Sequence, residues 1–115
     1  MTVYEGSLII QKKIEDMIHY GYVAIKRYPK SERYALAADT KEAMYDLLEL
    51  TIRANKRYHK KTTLQDLDIK LEFLRYLTRL GMELGVLPFK QYEVWNRYLS
   101  EIGRLLGGWM KSQSQ

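Results

Sequence analysis

Apolar residues recur at three- and four-residue intervals in four stretches of this chain, and its only two prolines, Pro29 and Pro88, lie between stretches. That interval places side chains on one face of an α-helix, whereas a strand needs an interval of two. In the first stretch Ile10, Ile14, Met17, Gly21, Ala24, Ile25 and Tyr28 share a face, while Lys12, Glu15, Asp16, His19 and Lys26 point away. Leu36, Thr40, Ala43, Leu47, Leu50, Thr51, Ala54 and Tyr58 mark the second face, and Tyr92, Trp95, Leu99, Ile102, Leu106 and Trp109 the fourth. The pattern predicts helices at about 8–28, 33–60, 63–86 and 89–111. Pro29 stops the first helix and Ser31 is a candidate cap for the second. Thr63 with Asp66 three residues on reads as a capping box with the shorter acid, and Gly85 and Pro88 punctuate the last connection. Short connections make successive helices antiparallel neighbours, so the expected fold is all-α, an up-down-up-down four-helix bundle forming one domain over 1–115. Residues 112–115 read as a frayed polar tail.

The third stretch breaks the one-face rule. Leu64, Leu67, Ile69, Leu71, Phe73, Leu74, Tyr76, Leu77, Leu80 and Leu84 cover all but a narrow wedge when wound at about 100° per residue. Asp68, Glu72, Arg75, Arg79 and Glu83 fill the wedge. Three sister helices give too little cover for such a helix, so a contact with another subunit is expected. Gly103 and Gly107, one turn apart on the fourth helix, would also admit a close backbone. The plainer alternative is a deeply buried central helix whose glycines only relieve crowding.

With 115 residues, 46% of them hydrophobic, the chain has material for one core. The absence of cysteine excludes disulfides, thiolate metal sites and a cysteine nucleophile. No basic stretch at the amino end leads into an apolar run, and no segment is apolar for a bilayer's width, so a cytoplasmic protein with no membrane partner is expected. Lysine and arginine number 19 against 14 acids, a formal charge of +5 that favours an acidic partner. Ten tyrosines and two tryptophans suit half-buried or shared surfaces.

Eleven of the 19 cations fall into three groups. On the second helix the outward face is acidic first (Asp39, Glu42, Asp46, Glu49) and basic afterwards (Arg53, Lys56, Arg57, Lys60, Lys61). The helix dipole alone favours this order, yet a nucleic-acid backbone would also find five close cations there. Lys90, Arg97, Arg104 and Lys111, spaced by seven, form a stripe on the fourth helix that Glu93 and Glu101 can partly neutralise. Arg75 and Arg79 stand one turn apart in the third helix's wedge, where they either pair with Glu72 or Glu83 or, repeated around an oligomer, hold phosphates. Arg53 and His59 have the Arg-x5-His spacing of HEPN-type ribonucleases, a match two residues long, and a terminal cation is the plainer reading of His59. No cluster has metal-ligand spacing and no glycine-rich loop follows a strand, so neither catalytic residues, metal nor cofactor is expected.

Four segments carry a resemblance: Tyr28-Pro29-Lys30-Ser31-Glu32-Arg33-Tyr34-Ala35-Leu36, Ile52-Arg53-Ala54-Asn55-Lys56-Arg57, Leu74-Arg75-Tyr76-Leu77-Thr78-Arg79-Leu80, and Glu101-Ile102-Gly103-Arg104-Leu105-Leu106-Gly107-Gly108-Trp109. Together they resemble the accessory variability determinant (Avd) of diversity-generating retroelements. The first is shared with the wider four-helix-bundle family of 23S ribosomal RNA intervening sequence proteins, which stays the alternative. The resemblance implies a noncatalytic, ring-shaped homopentamer of basic four-helix subunits that binds a reverse transcriptase and template RNA or cDNA during mutagenic retrohoming. Arg75 and Arg79 match arginines of the family's third-helix motif, and Arg104 its Gly-Arg.

Overall fold

The computed structural model describes residues 5–113. Four α-helices account for most of them, α1 (Glu5–Lys26), α2 (Leu36–Lys56), α3 (Lys61–Glu83) and α4 (Phe89–Gln113), with no strand among the described residues. α1 packs against α2 and α4, α3 packs against the same two, and the backbones of neither diagonal pair come close. The cross-section is thus four-sided, within a body of 47 × 23 × 19 Å.

The faces read from periodicity point inward, except at Tyr58, which lies past the end of α2 and is 77% exposed. Ile10, Ile14 and Met17 of α1, Met44 and Leu47 of α2, Leu64, Leu67 and Leu74 of α3, and Trp95, Leu99 and Trp109 of α4 are fully buried. Trp95 lies at the middle of this core, its indole N–H donating to Met17 Sδ at 3.3 Å. Its ring needs the space beside Gly21, where an added Cβ would stand 2.8 Å from Trp95 and 2.5 Å from Met44 Sδ. Buried threonines return their hydroxyl protons to their own helices, Thr40 to the Leu36 carbonyl at 2.7 Å and Thr51 to that of Leu47 at 2.8 Å.

The helix ends differ from those the sequence suggests. α1 stops at Lys26 rather than Tyr28, its last turn tightened by bonds from Arg27 and Tyr28 amides to carbonyls three residues back. α2 starts at Leu36, not near residue 33, and Ser31 does not cap it. Lys30–Glu32 form a 3-10 turn closed by the Glu32 amide on the Pro29 carbonyl at 2.9 Å, which holds Ser31 well before the helix start. The N-cap, Ala35, has no side-chain bond to give. α2 also ends at Lys56 rather than residue 60, because Lys60 folds back and donates to the carbonyls of Ala54 and Arg57, both at 2.6 Å.

The expected capping box at the start of α3 does not form. The helix begins at Lys61, so Thr63 already lies inside it, buried, its hydroxyl accepting from Arg57 Nη1 at 2.9 Å. α3 ends at Glu83, short of residue 86, because Gly85 turns left-handed (φ 79°) and the amides of Val86 and Leu87 both bond the Gly81 carbonyl. Ser112 and Gln113 belong to α4, with the Ser112 hydroxyl on the Trp109 carbonyl at 2.6 Å, so the tail expected at 112–115 does not begin there. Ser114 and Gln115 lie outside the described residues.

α3 is not wrapped inside the bundle. Ile69, Phe73, Tyr76, Leu80 and Leu84 are 67%, 48%, 48%, 42% and 68% exposed. Their spacing of four, three, four and four makes one continuous stripe on the side away from the core. The alternative of a central buried helix is therefore overturned. Gly107 is open, with nothing within 4 Å of an added Cβ, whereas Gly103 faces Leu71 and Arg75 of α3.

Two outcomes follow from this packing. Gly21→Ala forces the Trp95 ring to shift, and overpacking costs about 1–3 kcal/mol, more than the roughly 1 kcal/mol alanine gains over glycine in a helix. Tm in thermal denaturation should fall by several degrees. The Tyr28 hydroxyl is buried without a partner, and burial pushes its pKa up to about 12. An unfolded tyrosine loses its proton near pH 10, so the folded state retains a proton that the unfolded state has lost. Stability is therefore unaffected below pH 10 and falls as pH rises from 10 to 12. Tyr28→Phe should flatten that fall in melts across the window, leaving a residual slope from Tyr20, also raised by burial.

Candidate nucleic-acid interface

The cations singled out by the sequence occupy separate places on one subunit, and partners engage them to different degrees. At the α2–α3 connection, Arg53 pairs with Glu49 one turn back at 3.1 Å, Arg57 donates to Thr63, and Lys60 holds two backbone carbonyls. The helix-end reading explains these three. Lys56 and Lys61 are exposed, Lys61 at the rim of a hollow shared with Leu64, Gln65, Met110 and Gln113.

Arg75 and Arg79 share a groove between α3 and α4 with Glu72, Tyr76, Tyr92 and Asn96, a hollow of about 390 Å³. They do not form the ion pairs with Glu72 or Glu83 that the wedge allowed. Arg75 Nη2 donates to Ser100 Oγ at 3.3 Å, and the Arg79 guanidinium lies 4.5 Å over the Tyr76 ring. Both remain positive groups beside the bare α3 stripe.

The fourth-helix stripe divides. Arg104 makes two bonds to Glu101, 2.6 Å from Nη2 and 3.2 Å from Nε. That hydrogen bonding, with the charges of Arg104 and Lys13, holds the exposed Glu101 carboxyl below the ordinary glutamate range. Arg97 lies in the α1–α4 groove with Lys13, Val94, Tyr98 and Glu101, and Lys90 is exposed in the first turn of α4. Arg97 therefore faces α1, and Arg75 and Arg79 line the α3 side of α4.

Arg53 and His59 do not share a helix. Arg53 is on α2 and bound to Glu49, whereas His59 lies beyond the helix end with its ring edge-on to Tyr58 at 4.8 Å. An Arg and His on one helix require α2 to continue past Lys56. His19 is exposed on α1, as an outward polar residue should be. Among the described residues no three His, Asp or Glu side chains gather where they could hold a metal ion, and no helix is long and apolar enough to cross a membrane.

A cluster that sequence reading missed lies where α1 hands over to α2. Lys26, Lys30, Arg33 and Lys41 line one hollow with Tyr22 and Pro29. They come from α1, the 3-10 turn, the residue after it and α2, so no single helical interval reveals them. The available signal was Lys30 and Arg33 close together after Pro29, with Tyr34 next in the chain.

Arg104→Gln should return the Glu101 carboxyl to the ordinary glutamate range, seen as an upward shift of its titration in NMR. An unmoved titration would mean that Arg104 does not hold the carboxylate in solution.

A family model described as bAvd-like matches residues 8–113. No curated protein matches the chain.

Proposed function

The chain belongs to the bAvd-like family, and on that footing we propose that it is a noncatalytic accessory protein of a diversity-generating retroelement. In this reading it works in the cytoplasm, joins the element's reverse transcriptase to template RNA and cDNA, and thereby supports mutagenic retrohoming. The helices run up-down-up-down, and copies assemble into a ring-shaped homopentamer. The family match over nearly the whole chain carries the assignment.

The bare stripe on α3 supports the assembly. Five large apolar side chains on one face escape their hydration cost only when another surface covers them, and in a closed ring each copy covers its neighbour's stripe with a different face of its own. Gly107, open above its helix, leaves room for a neighbouring backbone. Arg75 and Arg79 border the stripe, so a closed ring repeats them around its circumference and concentrates positive potential where one subunit has only two charges. Arg53, Lys56, Arg57, Lys60, Lys61, Lys90, Arg97 and Arg104 are secondary contacts in this scheme, weakened where a carboxylate or carbonyl already holds them.

Light scattering should give a mass several times the 13.7 kDa chain, and Ile69→Glu with Leu80→Glu should reduce it to one chain with helix content intact. A monomeric unmodified protein at micromolar concentration removes the assembly. The protein should co-purify with the reverse transcriptase encoded at its own locus, and separation of the two under mild salt removes the accessory role. Arg75→Ala with Arg79→Ala should lower the salt slope of RNA binding by about 1.4, since each phosphate that a cation neutralises on a single strand adds about 0.7.

A further inference from the structure

Of the four cations at the α1–α2 junction, Lys26 alone sits where the fold itself favours a positive charge. Lys26, Lys30, Arg33 and Lys41 line a hollow of about 380 Å³, and no carboxylate lines it. None of the four takes part in an ion pair among the described residues, in contrast to Arg53, Lys70 and Arg104. Lys41 Nζ lies 4.8 Å and Lys26 Nζ 5.5 Å from the centroid of the same Tyr22 ring, so two ammonium groups share one neutral acceptor.

Helix electrostatics makes the arrangement costlier. Lys26 sits in the last turn of α1, where a cation is favoured. Lys30 and Arg33 instead precede the amino end of α2, whose dipole is positive and whose N-cap Ala35 supplies no side-chain acceptor, while Lys41 stands in the helix's second turn. Asp39, the acid in that first turn, lines a different groove, toward α3, with Glu42, Asp46 and Lys70. Glu32, between Lys30 and Arg33 in the chain, neither lines the hollow nor forms an ion pair among the described residues, so the junction concentrates positive charge without a paired carboxylate. Beside it Tyr34, next in the chain to Arg33, is 88% exposed.

We propose that this junction binds the phosphate backbone of a single-stranded nucleic acid, with Lys26, Lys30, Arg33 and Lys41 gathered around Tyr22 as the phosphate contacts and the bare Tyr34 ring as a stacking platform for a base. Cations interleaved with an exposed aromatic ring are what sequence-tolerant single-strand binding requires. The hollow is open and larger than one phosphate needs, which suits a passing strand better than a lone ion. The proposal rests on the nucleic-acid reading above but locates the grip away from the α3–α4 groove.

The test measures fluorescence anisotropy of a labelled oligouridylate of about twelve nucleotides, within the span such surfaces cover, across a salt series. Arg33→Ala with Lys41→Ala should lower the salt slope by about 1.4 and weaken low-salt binding at least tenfold. Lys12→Ala with Lys70→Ala, which removes equal charge from lysines paired with Asp16 and Asp46, should change both far less. Tyr34→Ala should cost roughly tenfold, and Tyr34→Phe should restore it. Arg33→Glu, at an exposed position, should abolish the junction's contribution while circular dichroism stays helical. Unchanged affinity and slope in the Arg33/Lys41 variant, alongside weakened binding by the Arg75/Arg79 variant, overturn this site and leave the nucleic-acid reading standing. Failure of the unmodified protein to bind the strand overturns both. Uridine monophosphate competing as well as the strand, at equal phosphate concentration, overturns the strand assignment in favour of a small phosphate ligand.

Discussion

A helix in a four-sided bundle touches two neighbours, and those two can cover only the side turned toward the centre. α1, α2 and α4 concentrate most of their apolar residues on that side. α3 has a second apolar strip, Ile69 to Leu84, which the bundle cannot reach. The rest of the molecule is organised around this mismatch. Trp95 and Trp109 fill the interior so completely that Gly21 must stay bare beside Trp95. With the interior full, α3 cannot rotate to hide its outer strip without exposing Leu67, Leu71 and Leu74.

Charge is handled locally wherever a partner lies within a turn or a connection. Glu49 takes Arg53, Glu101 takes Arg104, and the carbonyls left over at the end of α2 take Lys60. Such contacts stabilise helix ends and exposed faces by small amounts and weaken the case for those cations as binding groups. In the α3–α4 groove and at the α1–α2 junction the partners of the cations are instead a hydroxyl and aromatic rings. Rings attract cations without cancelling them, so both places retain the potential an anionic partner would meet.

Much of the fold was legible in the sequence. Three- and four-residue spacing is a property of one segment, and it identified the inward faces of α1, α2 and α4 and the surplus on α3. Arg75 and Arg79 could be recognised as neighbours because one turn of helix brings them together. The segments from Tyr28 to Trp109 carried the Avd resemblance, and the family match covers the same stretch.

Where a helix stops depends on what its last free amides and carbonyls find, and those partners come from other segments. Ser31 has the chemistry of a cap, but the 3-10 turn removes it from the helix start, and Thr63 has it too, but Arg57 takes its hydroxyl. Arg53 and His59 do not share a helix for the same reason, because α2 ends at Lys56. The junction cluster is invisible along the chain because Lys26, Lys30, Arg33 and Lys41 meet only after α1 and α2 dock. Periodicity thus settled which residues share a face. Contacts of a few ångströms between elements, which no interval along the chain encodes, settled where the helices end, which charges survive and which apolar surface stays uncovered.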